Sequence, residues 1–218
     1  MTLERLGVSG ANVLGTNYTV TSLTVSDYNP NIDSTVTLTV TVKDVYNRPV
    51  VGEEVTVTAS EGDFTQLDGS TITAASSVTG TTNSSGQFTL TYACSEWGLI
   101  TFSANTTSTQ VSVTGWKQVQ SLSSDRVIVY TDGKNAKIRI GGTFTTSTSA
   151  GEFNLGTIDR AYKPLENYTT NYTTATTNYF PVYLRADDTV VHLYKASTTS
   201  SSIACYCTLF YPLKTPLY

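Results

Sequence analysis

The chain has one histidine, His192, three cysteines, Cys94, Cys205 and Cys207, and one pair of adjacent carboxylates, Asp187-Asp188. These side chains are the candidates for a general base, a nucleophile or a metal ligand. His192 sits between Val191 and Leu193 and so faces the opposite side of a strand from them. Histidine catalysis or zinc binding requires further ligands or partners, and there is no second histidine. A nucleophilic serine or cysteine needs a base beside it, and none is evident. Cys205 and Cys207 share one face of a strand with Cα atoms roughly 6.5–7 Å apart, the outer limit for a bridge. Three free, buried thiols are therefore expected. Asp187-Asp188 falls between two apolar runs and reads as a turn, without the ligand spacing of a calcium loop. The stretch GTFTTSTSAGEF lacks the lysine and the following helix of a phosphate loop. No catalytic residue, metal site or cofactor is expected, and the chain reads as non-enzymatic.

Tyrosine is the remaining chemistry. Ten of fourteen tyrosines follow residue 116. Tyr168, Tyr172 and Tyr179 punctuate the Thr/Asn-rich run Asn167–Phe180, which reads as a long polar loop. Each offers a flat apolar face and a polar tip, so these three are candidate contacts for a glycan or a protein receptor, the alternative being core packing and a seam between subunits. Five N-x-S/T sequons, at Asn17, Asn83, Asn105, Asn167 and Asn171, fit chance in a chain this rich in Ser and Thr.

The elements that must hold these residues are strands. Val36, Leu38, Val40 and Val42 alternate with Thr35, Thr37, Thr39 and Thr41, a period of two. Val55, Val57 and Ala59 repeat the pattern after DVYNRPVVGE, and Phe88, Leu90, Tyr92 and Cys94 repeat it after TNSSGQ. With Ile100, Phe102, Ala104, Val111 and Val113, about seven short strands predict a β-sandwich over residues 18–115. Gly115–Asp125 shows no clear alternation, so a linker is expected at 116–122. DRVIVYTDGKNAKIRIGG then reads as a hairpin about Asp132-Gly133, and YFPVYL, TVVHLY and SIACYCTLFY give three more strands. Residues 123–218 are therefore expected to form a second all-β domain, a sandwich or jelly roll. No segment shows a 3.6-residue stripe.

Composition agrees with an all-β chain. Only 14% of residues are charged, and 39% are hydrophobic, enough to supply a core. The net charge is −4, which argues against a nucleic-acid partner. The charge is uneven: residues 1–115 hold ten acids and three bases, residues 116–218 seven acids and ten bases. Residues 1–17 lack the basic and apolar regions of a signal peptide, and no stretch is apolar enough to enter a membrane. They read as an extended arm, with a frayed terminus as the alternative; an arm would offer Leu3, Leu6, Val13 and Leu14 for attachment to a neighbouring subunit.

Residues 20–115 resemble the bacterial Ig-like domain of the invasin/intimin type. Asp44, Asn47, Pro49 and Val50 match its first turn, and Gly62 its central glycine. Thr82, Asn83 and Gly86 match the second turn, and Gly98, Phe102 and Ala104 the closing strand. Tyr46 stands where the family usually has a small residue. The second half resembles the distal domains of phage tail fibres and receptor-binding proteins, through Tyr162, Lys163 and Pro164 and through Asp187, Asp188 and Val190. Together the resemblances imply a rigid Ig-like spacer that presents a distal β-domain. The implied protein is a phage or viral virion component, a capsid decoration or head fibre or a tail receptor binder. Its implied partners are other virion proteins, a host-surface glycan or protein, and copies of itself, as a trimer. A cell-surface adhesin of a bacterium or archaeon is the alternative.

Overall fold

Alternating apolar and polar side chains dictate strands that bury one face, and a computed structural model of the chain shows them. It describes residues 19–145, 151–173, 179–184, 189–195 and 202–218. The arm with Leu3, Leu6, Val13 and Leu14, and the pair Asp187-Asp188, lie outside the described residues. The chain is all-β and forms two units, one of Met1–Pro30 with Ser34–Ser112, the other of Asn31–Asp33 with Val113–Tyr218.

The first unit is built from β1 (Thr19–Val25), β2 (Thr35–Lys43), β3 (Glu54–Ala59), β4 (Asp63–Leu67), β5 (Ser70–Ala75), β6 (Ser77–Thr81), β7 (Gln87–Ala93), β8 (Gly98–Ala104) and β9 (Thr107–Val113). One sheet has the order β1-β2-β7-β4-β5, the other β6-β3-β8-β9. Val36, Leu38, Val40 and Val42 point inward and are fully buried, opposite Tyr92, Leu90 and Phe88 of β7. The sheets meet through aromatic rings: Phe102 of β8 lies 5.0 Å from Tyr92 and 5.8 Å from Phe64. This is a β-sandwich. Each of these buried Leu or Phe side chains contributes about 1.5–3 kcal/mol. Among the described residues nine strands appear where about seven were expected. The short β4, which buries only Phe64 fully, and the largely exposed β5 and β6 carry too few apolar residues to announce themselves, and Asp68-Gly69 turns the chain between the first two with φ of +48° and +77°.

Several residues of the first-domain pattern build its turns. The Asp44 carboxylate accepts from the backbone N–H of Tyr46 and Arg48, at 2.8 and 3.0 Å, and from Arg48 Nε at 2.8 Å. Asn83 Oδ1 accepts from Ser85 N and Gln87 N. Gly62 has φ +69°, and a Cβ there would strike the Tyr92 hydroxyl, which donates to Glu61 O at 2.8 Å. Only glycine satisfies both demands.

The second unit comprises β10 (Lys117–Leu122), β11 (Val127–Thr131), β12 (Asn135–Thr145), β13 (Gly151–Thr157), a 3-10 turn at Arg160–Tyr162, β14 (Tyr168–Thr173), β15 (Tyr179–Leu184), β16 (Val190–Lys195) and β17 (Ser202–Pro212). Its sheets have the orders β10-β11-β12-β17 and β13-β16-β15-β14. Val127, Val129, Ile138, Ile140, Leu209 and Tyr211 of the first meet Leu155, Val182, Leu184, Val191 and Leu193 of the second in one core. It is a sandwich, because β10–β12 stay consecutive in one sheet and β14–β16 in the other.

Two expectations fail here. Residues 117–122 are strand β10, not a linker. A bulge between Gln118 and Gln120 interrupts the period of two and hides the strand, while Val119 and Leu122 pack against the core. The expected loop 167–180 is instead strand wherever it is described beyond Asn167: Tyr168–Thr173 pairs antiparallel with Tyr179–Leu184, and residues 174–178 lie outside the described residues. Thr and Tyr favour a pleated strand even when the run is polar overall.

Candidate functional site

The residues singled out for chemistry do not assemble. His192 lies half-buried on the outward side of β16, its Nδ1 3.8 Å from Glu152 Oε2. Among the described residues no group of three His, Cys, Asp or Glu could hold a metal. All three cysteines are free. Cys205 and Cys207 share the inward face of β17 with their sulfurs 3.9 Å apart. Their shared hydrogen bond, together with burial, raises the Cys205 thiol, and the same hydrogen bond lowers Cys207. Burial raises the thiol of Cys94 and the phenol of Tyr92.

The three candidate tyrosines divide. Tyr168 lays its ring against the buried ring of Tyr211, centroids 5.5 Å apart, so it flanks the core and is only half-buried. Its hydroxyl lies 3.4 Å from Glu166 Oε1. Tyr172 and Tyr179 sit on paired strands, across from Phe180 and Thr173. Their side chains lie outside the described part of the structure.

A different surface gathers aromatic and cationic groups: the outward face of the sheet β10-β11-β12-β17. Register fixes it. Gln118, Tyr130, Lys137 and Phe210 form one cross-strand row; Ile128, Arg139 and Thr208 form the next; Gly141 and Tyr206 a third. Tyr206 is 67% exposed, Phe210 58% and Trp116 36%. Trp116 stands edge-on to Phe210, with centroids 5.7 Å apart. The Lys137 ammonium sits 4.7 Å from the Trp116 ring and 5.0 Å from the Tyr130 ring, a cation held between two π-faces. A shallow depression of about 500 Å³ runs beside it, lined by Arg139, Gly141, Tyr206 and Thr208 among others. None of these rows holds a carboxylate of its own; at the β10 end of the second, Ser121 pairs with Ile128 and donates through Oγ to the Asp125 carboxylate. The sequence carries one sign of this face: β17 is apolar on both sides, with Cys205, Cys207, Leu209 and Tyr211 inward and Tyr206 and Phe210 outward.

No protein-family model matches the sequence, and no curated protein matches it. Solved structures with similar stretches include domains 4 and 5 of the S-layer protein SbsC, at 21% identity and TM-score 0.28; the match covers 44% of this chain and 52%, about half, of that one. Domains 5-6 of the same protein are 14% identical, with 90% and 98% coverage and TM-score 0.29. The collagen adhesin (CNA) from S. aureus is 12% identical, with 88% and 80% coverage and TM-score 0.30. At these TM-scores the likeness assigns no role to any residue. Among the described residues no helix is long and apolar enough to cross a membrane.

Proposed function

We propose that this is a non-enzymatic structural and attachment protein of a virus particle. A β-sandwich spacer of the Ig-like type carries a second β-sandwich that contacts the host surface. The observation that supports this most is the exposed aromatic and cationic face of β10-β11-β12-β17, a surface built for contact rather than for bond-making. The spacer shows the complementary character: the outward side of β2 is a ladder of Thr35, Thr37, Thr39 and Thr41, and its turns are locked by their own hydrogen bonds. Residues 1–17 serve as the attachment arm. Copies associate, as a trimer, through the second unit, where β17 ends its sheet and Leu165, at 60% exposure, adds apolar surface.

Gold-labelled antibody raised against the chain tests the reading. Regular labelling of virus particles is the expected result. Labelling of cell envelopes alone would favour the adhesin alternative. Light scattering on the fragment 116–218 tests the trimer, and a monomer at micromolar concentration would remove it.

A further inference from the structure

Resting on that attachment reading, we infer that the outward face of β10-β11-β12-β17 is a binding site for an acidic polysaccharide. Sugar rings stack on Tyr206 and Phe210, and their carboxylates pair with Arg139.

Geometry and charge lead to this ligand class together. Tyr206 and Phe210 are four residues apart on one strand, so their rings stand about 13–14 Å from each other along it. Both are more than half exposed, and between them lies the row of Arg139 and Thr208. Gly141, opposite Tyr206, has no side chain to fill the space beside that ring, and the depression opens there. An aromatic face suits the apolar C–H face of a pyranose, and the guanidinium offers a planar pair of donors to a carboxylate. Lys137 is a positioning residue: clamped between Trp116 and Tyr130, it fixes two rings at the end of the platform.

Other occupants fit less well. A second copy docking the same face would set Arg139 and Lys137 against themselves, a like-charge contact that opposes association. Lysine is also depleted from the centres of protein interfaces. A nucleic acid requires a longer run of cations than this face holds. A saccharide with spaced carboxylates needs only a few cations beside stacking surfaces.

The test uses the full chain with polygalacturonate and its methyl ester, the same backbone with and without charge, and calorimetry as readout. The intact protein should bind the acid form about tenfold more tightly than the ester. Arg139→Gln should erase that preference and leave the weak ester binding. Tyr206→Ala and Phe210→Ala should each weaken both by about tenfold. Thr39→Ala, on the first unit's outward face, should change nothing. Melting curves check that each variant is folded, which the exposure of these positions favours. Equal binding of the two polymers, no binding of either, or full binding by the variants would overturn the inference. So would tighter binding to polyuridylate than to polygalacturonate, or conversion of an oligomer into monomers by Phe210→Ala, which would make the face a seam between copies. Particle labelling that succeeds while polymer binding fails removes only this site and leaves the attachment reading standing.

Discussion

Asp132 shows how one side chain sets a turn and a pH dependence. Its Oδ1 accepts from Lys134 N at 2.9 Å and Asn135 N at 2.7 Å, closing the hairpin between β11 and β12. Burial raises its carboxyl, but the hydrogen bonds from Asn135 and Lys134 outweigh that and hold it below the usual value. A depressed carboxylate stabilises the fold above its unfolded pKa, and that stability is lost as pH falls through the folded one. Asp132→Ala should therefore lower stability at pH 7 by about 1 kcal/mol, and the gap should close toward pH 2. Urea midpoints across that range are the measurement. The cysteines give a second residue-level expectation. Cys207 is the less buried of its pair, and its thiolate is favoured by the hydrogen bond from Cys205. A thiol reagent should modify Cys207 first in the native protein, and Cys94 and Cys205 only on unfolding. Mass analysis of the denatured, unreduced chain should count three free thiols. Early labelling of Cys205 would contradict the burial described.

Among the elements, β10 is the one most worth perturbing. Its bulge conceals it in the sequence, yet it closes one edge of the aromatic sheet and lends Val119 and Leu122 to the core. A fragment 116–218 should fold, whereas 123–218, cut where a linker is expected to end, should lose cooperative melting. If both melt alike, β10 is dispensable. The turn that follows is strained: Ser123, Ser124 and Asp125 all have positive φ, at 52°, 54° and 64°. Non-glycine residues enter this region at a cost of about 1 kcal/mol or more each. Ser124→Gly should accordingly raise stability by about 0.5 kcal/mol, the strain relieved less the entropy glycine loses. A fall in the urea midpoint would show that the side chain contributes more than the strain costs.

For the whole molecule, two separate cores set the expectation. Phe64, Tyr92 and Phe102 anchor one, and Ile138, Leu193 and Tyr211 belong to the other. Each sandwich buries its own apolar faces, so each should survive alone. The fragment 18–115 should show a cooperative melt within a few degrees of the corresponding transition in the full chain. If it is unfolded on its own, the spacer reading falls with it. The charge difference between the halves also predicts that salt acts mainly on association and ligand binding rather than on folding, since exposed charges are screened and buried apolar contacts are not.

Local rules made much of this protein legible before any fold was known. Alternation alone assigned Val36, Leu38, Val40 and Val42 to a core and their threonines to solvent, because successive strand residues must point to opposite sides. The Asp132-Gly133 hairpin and the turn-making of Asp44, Asn83 and Gly86 were legible too, since short-range hydrogen bonds and φ preferences depend only on neighbours. Other features depended on partners far along the chain. β10 was hidden because a bulge breaks the period that reveals strands. Tyr168 reads as a free surface ring until Tyr211, from the other sheet, is placed beside it. The aromatic and cationic face is the clearest case. Trp116, Tyr130, Lys137 and Phe210 come from opposite ends of the second unit. They become neighbours only because β17 returns to pair with β12. No sequence window contains that pairing, since the energy that selects it lies in the buried face of the sheet, while the contact surface is what the pairing leaves on the other side.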